Sequence, residues 1–281
     1  MMLLGALLLL AAADAGPPPE QVEQEARPTV RYSLSRPTPP AELRSFNPDR
    51  PNVTESPYTV DPGHVQLELS AAEYTLGRDR SRTLDVAPVE IRVGVLHQLE
   101  LELFFTPYQR VRGDDGVEAG IGDETLLRFK VNLQGNDGDG VALGIIPYIK
   151  VPTGTGGLSN GHVEGGLIFP VAVDLPGDFN LGTMIEADLV YHDDQHQYGI
   201  DLVHTASLGH SIAGPLSGYI EYVGIVREGA GGGRAGAYQA IASTGFTWLL
   251  EENVMLDAGT RIGFSGDADR ATIFLGATTR F

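Results

Sequence analysis

Fifteen charged side chains stand at alternate positions within otherwise apolar runs: Glu68, Glu90, Arg92, Glu100, Glu102, Arg128, Lys130, Lys150, Glu186, Asp188, Asp201, Glu221, Asp257, Arg261 and Arg280. Carboxylates, guanidinium groups and ammonium groups that share one face can do two things. They can pair into a hydrogen-bonded network that stiffens and partly fills a wall. They can also line a narrow polar path whose charges select solutes. Either use needs an element that places every second residue on the same side.

Other chemical groupings are local. Ser159-Asn160-Gly161-His162 holds a hydroxyl and an imidazole, but a nucleophile needs a base that a third group orients, and a Gly-rich loop does not supply that rigidity. No catalytic residue is therefore assigned. Gly113-Asp114-Asp115-Gly116, His192-Asp193-Asp194-Gln195-His196 and Gly266-Asp267-Ala268-Asp269 carry oxygen and imidazole donors without EF-hand spacing. Asp and Gly are also ordinary turn residues, as in Asn136-Asp137-Gly138-Asp139-Gly140, so no metal or cofactor is expected. Gly231-Gly232-Gly233 lacks the Lys-Ser/Thr and helix start of a phosphate loop and reads as a loop tip.

The positioning elements are strands. Val65, Leu67, Leu69 and Ala71 alternate with Gln66, Glu68 and Ser70, and the pattern recurs over 89–95, 99–105, 127–133, 141–151, 167–175, 181–189, 198–208, 216–226, 238–248, 254–264 and 271–281. That is about twelve strands, mostly of roughly 9 to 11 residues. Soluble strands average about 5 or 6, whereas bilayer-spanning strands need about 9 to 11. In 238–248, Tyr238, Ala240, Ala242, Thr244, Phe246 and Trp248 share a face with aromatics at both ends, like a band between two girdles. The connections 95–98, 175–178 and 250–253 are tight. The segments 109–120, 152–165 and 227–236 are longer, Gly-rich and charged, and read as loops of the opposite side. The fold class expected is all-β, a transmembrane antiparallel up-and-down barrel of about twelve strands over residues 61–281. A soluble β-sandwich is the alternative, but nothing in the sequence protects its edges.

Residues 1–13 are an apolar run too short for a membrane helix; with Ala13-Asp14-Ala15 they read as a signal peptide over 1–15, although no Lys or Arg precedes the run. Residues 16–60 are Pro-rich and aperiodic, and read as a periplasmic arm or a plug. The formal net charge of −18 speaks against nucleic acid, and the absence of cysteine excludes disulfides and thiolate metal sites. The last strand ends on Phe281, an aromatic terminus of the kind that barrel-assembly machinery reads.

The local sequence then becomes specific. Thr54 to His64, followed by Gln66-Leu67-Glu68, resembles the opening of the MetA-pathway-of-phenol-degradation family, whose members are often called transporters. Gly122-Asp123, Lys130 to Leu133, Gly135 to Gly138, Ile146 to Gly154 and Val163 to Leu167 match in order. The resemblance implies a barrel of the cell outer membrane that serves as a channel or facilitator for small solutes, hydrophobic or aromatic compounds among them. Its partners would be outer-membrane lipid and the assembly machinery. A structural or surface-interaction barrel with a closed lumen is the alternative, and a lipid-acting enzyme is a weaker one.

Overall fold

The computed structural model describes residues 32–138, 140–193, 196–227 and 238–281. Alternation with period two gives each segment one apolar and one polar face, and neighbours pair antiparallel so that like faces align. Among the described residues there are fifteen strands: β1 (Val65–Leu76), β2 (Arg82–Val86), β3 (Val89–Leu96), β4 (Leu99–Phe105), β5 (Tyr108–Gly113), β6 (Gly116–Gly120), β7 (Glu124–Gln134), β8 (Val141–Pro152), β9 (Glu164–Leu175), β10 (Phe179–His192), β11 (Gln197–Ala213), β12 (Leu216–Val226), β13 (Tyr238–Glu251), β14 (Val254–Gly263) and β15 (Ala271–Arg280). A 3-10 turn, Pro40–Glu42, is the one helical element among them.

β1, β3, β4 and β7 to β15 form a ring of twelve antiparallel strands, each paired to the next, with β15 returning to β1. This is the expected twelve-strand barrel. At the seam, Phe281 N donates to Val65 O at 2.8 Å and Val65 N to Phe281 O at 3.3 Å. Closure leaves the ring without a free edge. β2, β5 and β6 continue β3, β4 and β7 past short breaks at 87–88, 106–107 and 121–123, and pair in the order β1-β2-β5-β6. The segment 109–120 is therefore a hairpin and not the loop expected from its glycines and charges. Tyr108, Arg110 and Arg112 alternate with Gln109 and Val111, and only the tip at Asp114-Asp115 turns.

One end of the barrel carries the tight turns. Gly177 and Asp178 sit at φ +80° and +59°, and Gly214 at φ +54°. The left-handed region is open to Gly at little cost and tolerated by Asp. The first strand begins and the last one ends there. The longer connections lie at the other end.

The two faces differ as a membrane barrel requires. Outward Ile185, Ile220 and Leu275 are 62%, 63% and 54% exposed, while inward Glu68 and Lys130 are 1% and 0%. An apolar exterior with all backbone groups paired in a closed ring is the arrangement stable in lipid.

Candidate functional site

The inward side chains of β1, β3, β4 and β7 make a charged wall. Arg92 is fully buried and pairs with Glu68 at 2.9 Å, Asp49 at 3.0 Å and Glu100 at 2.8 Å, and its guanidinium also donates to Tyr58 O at 2.9 Å. Lys130 pairs with Asp49, with Glu102 at 2.9 Å and with Glu100 at 3.4 Å. Arg128 pairs with Glu55 at 2.6 Å and Glu90 at 3.4 Å. The register explains the convergence: Arg92↔Glu102 and Glu102↔Arg128, and Glu100↔Lys130, are direct cross-strand neighbours. Opposite charges in such positions attract, and burial removes the water that would screen them. The groups Asp49/Glu100/Glu102 and Asp49/Glu68/Glu90 are close enough for a metal, but Arg92, Lys130 and Arg128 already pair with these carboxylates.

Two partners in this network, Asp49 and Glu55, come from the segment before the barrel. Residues 49–60 run inside the ring without joining its ladder. Their backbone is held instead by inward side chains. Glu68 accepts from Asp49 N at 3.1 Å and Arg50 N at 2.8 Å. Glu221 accepts from Val53 N at 3.1 Å and from Thr54 N and Thr54 Oγ1 at 2.7 Å each. Glu100 accepts from Val60 N, and Asn136 Oδ1 from Thr59 N at 3.1 Å. Arg50 grips Asp257 through two nitrogens at 2.7 and 3.2 Å. Burial opposes the charge of Asp49, yet Arg92 and Lys130 hold its carboxyl below the usual range. Burial raises the Glu55 carboxyl, with Arg128 pulling against it.

The inward face of β8 to β12 carries an apolar patch among its polar residues. Ile146, Ile168, Met184, Val203 and Val223 come from the five successive strands β8 to β12 and form one buried cluster, against which Val53 packs. Val53 thus covers an inward apolar patch that faces the ion network. Two cavities flank the segment. The one at the tight-turn end, about 400 Å³, is lined by Arg44, Tyr58, Val60, Asn136, Asp174 and Arg280 among others. The one toward the long loops, about 290 Å³, is lined by Arg128, Tyr148, Lys150, Glu186 and Asp188 among others.

The fifteen charged residues identified by alternation fall into separate groups. Glu68, Glu90, Arg92, Glu100, Glu102, Arg128 and Lys130 meet in the charged wall. Lys150 pairs with Glu164 at 2.6 Å and Asp123 at 3.1 Å near the loop end. Glu186 and Asp188 line the second cavity, where Tyr148 Oη donates to Asp188 at 2.5 Å. Asp201 lies 3.3 Å from His192 Nε2. Glu221 and Asp257 hold the inner segment. Arg261 pairs with Glu73 at 3.1 Å and lies 4.6 Å over the Phe274 ring. Arg280 reaches Asp61 at 3.3 Å and Asn253 Oδ1 at 2.7 Å at the tight-turn mouth.

Other motifs have local roles. Ser159 Oγ accepts from Gly161 N at 3.0 Å, while the His162 ring stacks on Tyr191 at 3.4 Å, so the two are not joined as nucleophile and base. Asn136 is more than a turn residue, because its side chain binds Thr59 and the carbonyl of His97. Asp139, Asp194, Gln195, Gly231-Gly232-Gly233 and the signal-peptide reading of 1–15 lie outside the described residues. Alternation alone missed Asp49, Arg50, Glu55, the apolar cluster and Glu73. Glu73 faces inward because a bulge between Ser70 and Ala72 shifts the register by one residue.

Solved structures with this fold include an outer membrane channel from Pseudomonas putida F1 and the NanC porin. The first is 13% identical with a TM-score of 0.55, covering 78% of this chain and 93% of that one. The second is 9% identical with a TM-score of 0.52, covering 76% and 98%. No curated protein matches the chain. The family model described as "Putative MetA-pathway of phenol degradation" matches residues 48–281, which takes in both the inner segment and the whole barrel, and the chain belongs to that family.

Proposed function

We propose that this chain is a channel of the outer membrane for small, largely apolar solutes, aromatic compounds among them, and that residues 49–60 are its plug. The observation that carries the reading is the two-faced lumen: an apolar patch of five strands, covered by Val53, stands across from a charged wall. Withdrawal of the plug uncovers a surface suited to an apolar molecule, because burying apolar area is favourable whichever group does it. The plug is held by side chains and not by a β-ladder, so it leaves without opening the ring. The family description, which refers to phenol degradation, and the channel and porin that share the fold support the same reading. Phe281, 70% exposed at the tight-turn end, is our candidate contact for the assembly machinery.

A sealed, structural barrel is the second reading, and the density of buried ion pairs favours it. One experiment separates the two. The chain has no cysteine, and Thr54 Oγ1 lies 2.7 Å from Thr205 Oγ1. Thr54→Cys with Thr205→Cys places two thiols where a disulfide fits. In proteoliposomes, uptake of phenol or toluene through the reduced variant is expected to match or exceed that of the unmodified chain, since Thr54→Cys also weakens the bond to Glu221, and to stop on oxidation. Equal uptake in both states would remove the plug from the gate. No uptake in any form would favour the sealed barrel.

A further inference from the structure

The outward side of the barrel carries three arginines with no partner among the described residues. Glu73 on β1 points inward to Arg50 and Arg261, and its cross-strand neighbours Asp85 on β2 and Gln109 on β5, hydrogen-bonded at 2.8 Å, share that face. The alternate positions Arg82, Arg110 and Arg112 therefore face outward, and all three are exposed. Arg82 and Arg112 are direct cross-strand neighbours, and Arg110 opposes Leu84 one step below. Among the described residues, no hydrogen bond or ion pair joins any of the three to another side chain. Like charges placed opposite each other in a ladder are destabilising unless an anion sits between them. Asp114 and Asp115 lie beyond them, at the hairpin tip.

Their height is specific. From the tight turn at His97-Gln98, ten residues of strand at a tilt near 40° rise about 25 Å, to the level of Val86 and Tyr108. That is the height of an apolar band and its upper aromatic girdle. Arg110 stands about 5 Å above this level and the Arg82–Arg112 pair about 10 Å above it, among lipid headgroups. Apolar Tyr74, Leu84, Val86 and Val117 surround and underlie them on the same face.

We infer that Arg82, Arg110 and Arg112 form a binding site for the phosphorylated headgroup of an outer-leaflet glycolipid, whose acyl chains lie against the apolar strip below. Guanidinium forks bind phosphate with paired, charge-assisted hydrogen bonds. One phosphate between Arg82 and Arg112 turns a repulsive pair into a clamp. In a chain of net charge −18, three unpaired cations at headgroup height match an anionic lipid surface. The site rests on the reading of the barrel as an outer-membrane protein, with its long loops outside, but not on transport.

The test is native mass spectrometry of the full chain in detergent with bisphosphorylated lipid A, and with lipid A stripped of both phosphates. The expected result is one tightly held bisphosphorylated molecule, and binding weaker by roughly a hundredfold for the triple variant Arg82→Gln/Arg110→Gln/Arg112→Gln. Arg82→Gln/Arg112→Gln should account for most of that loss. A heat-modifiability gel confirms that each variant is a folded barrel. Equal binding of stripped lipid A, or unchanged binding by the folded triple variant, overturns the site. Binding of a protein but not of lipid A at these arginines would do the same. A chain without a gel shift would instead overturn the barrel, and a barrel that binds the lipid without moving solute would overturn only the channel.

Discussion

The two walls of the lumen are built from the same kind of strand and hold the inner segment in opposite ways. On β1, β3, β4 and β7 the hold is electrostatic, with Arg92 and Lys130 clasping Asp49 among four buried glutamates. On β8 to β12 it is mainly apolar, with Val53 seated on Ile146, Ile168, Met184, Val203 and Val223, and Glu221 adds hydrogen bonds to the backbone of Val53 and Thr54. The first is specific in direction and intolerant of a missing partner. The apolar part of the second is indifferent to direction and can exchange Val53 for another apolar group. For the channel proposed above, the first is a latch that recognises only its own segment, and the second offers a surface that does not.

The comparison is broken most strongly at Arg92. Arg92→Met leaves Glu68, Glu100 and Asp49 buried with too few cations. A loss of about 3–5 kcal/mol is expected, read as a lower unfolding midpoint in a heat-modifiability series. A loss under about 1 kcal/mol would mean that water reaches the wall. Ile168→Ala in the apolar wall should cost about 2–4 kcal/mol by the same assay, with no change in ion selectivity. Glu221→Gln weakens the acceptor of Val53 N and Thr54 N. It should destabilise the docked segment by about 1.5–3 kcal/mol while leaving the barrel midpoint nearly unchanged, seen as more frequent open events in planar-bilayer recordings. Arg128→Glu removes the partner of Glu55 and reverses one charge beside the second cavity, so open-state selectivity should move toward cations. Unchanged selectivity would place Arg128 off the conducting path. The smallest effect is expected at Ile220→Ala on the lipid face, within about 1 kcal/mol, because a neighbouring lipid chain fills the space.

Much of this was legible in the residues. Alternation in 99–105 and 127–133 placed Glu100, Glu102, Arg128 and Lys130 on one face before any strand was paired. The sandwich alternative fell because β15 closes on β1. Other features were not legible. Strict alternation assigns Glu73 outward, but the bulge between Ser70 and Ala72 turns it in. Ile146 and Ile168 occupy inward positions in runs apolar on both faces, where periodicity carries no direction. Asp49, Arg50 and Glu55 sit in a Pro-rich stretch whose period says nothing about what it touches. The hairpin β5–β6 was hidden by its glycines and charges, although Tyr108, Arg110 and Arg112 alternate like any strand.

The sequence by itself determined the number of strands in the ring, the face of most side chains and the side on which the tight turns lie, because these depend on neighbours two residues apart. Only the tertiary structure decided that Asp49 meets Lys130 across 81 residues and that Thr54 meets Glu221 across 167. Such contacts depend on ring closure and strand register, which bring distant positions to one height inside the barrel, and no local pattern encodes that distance.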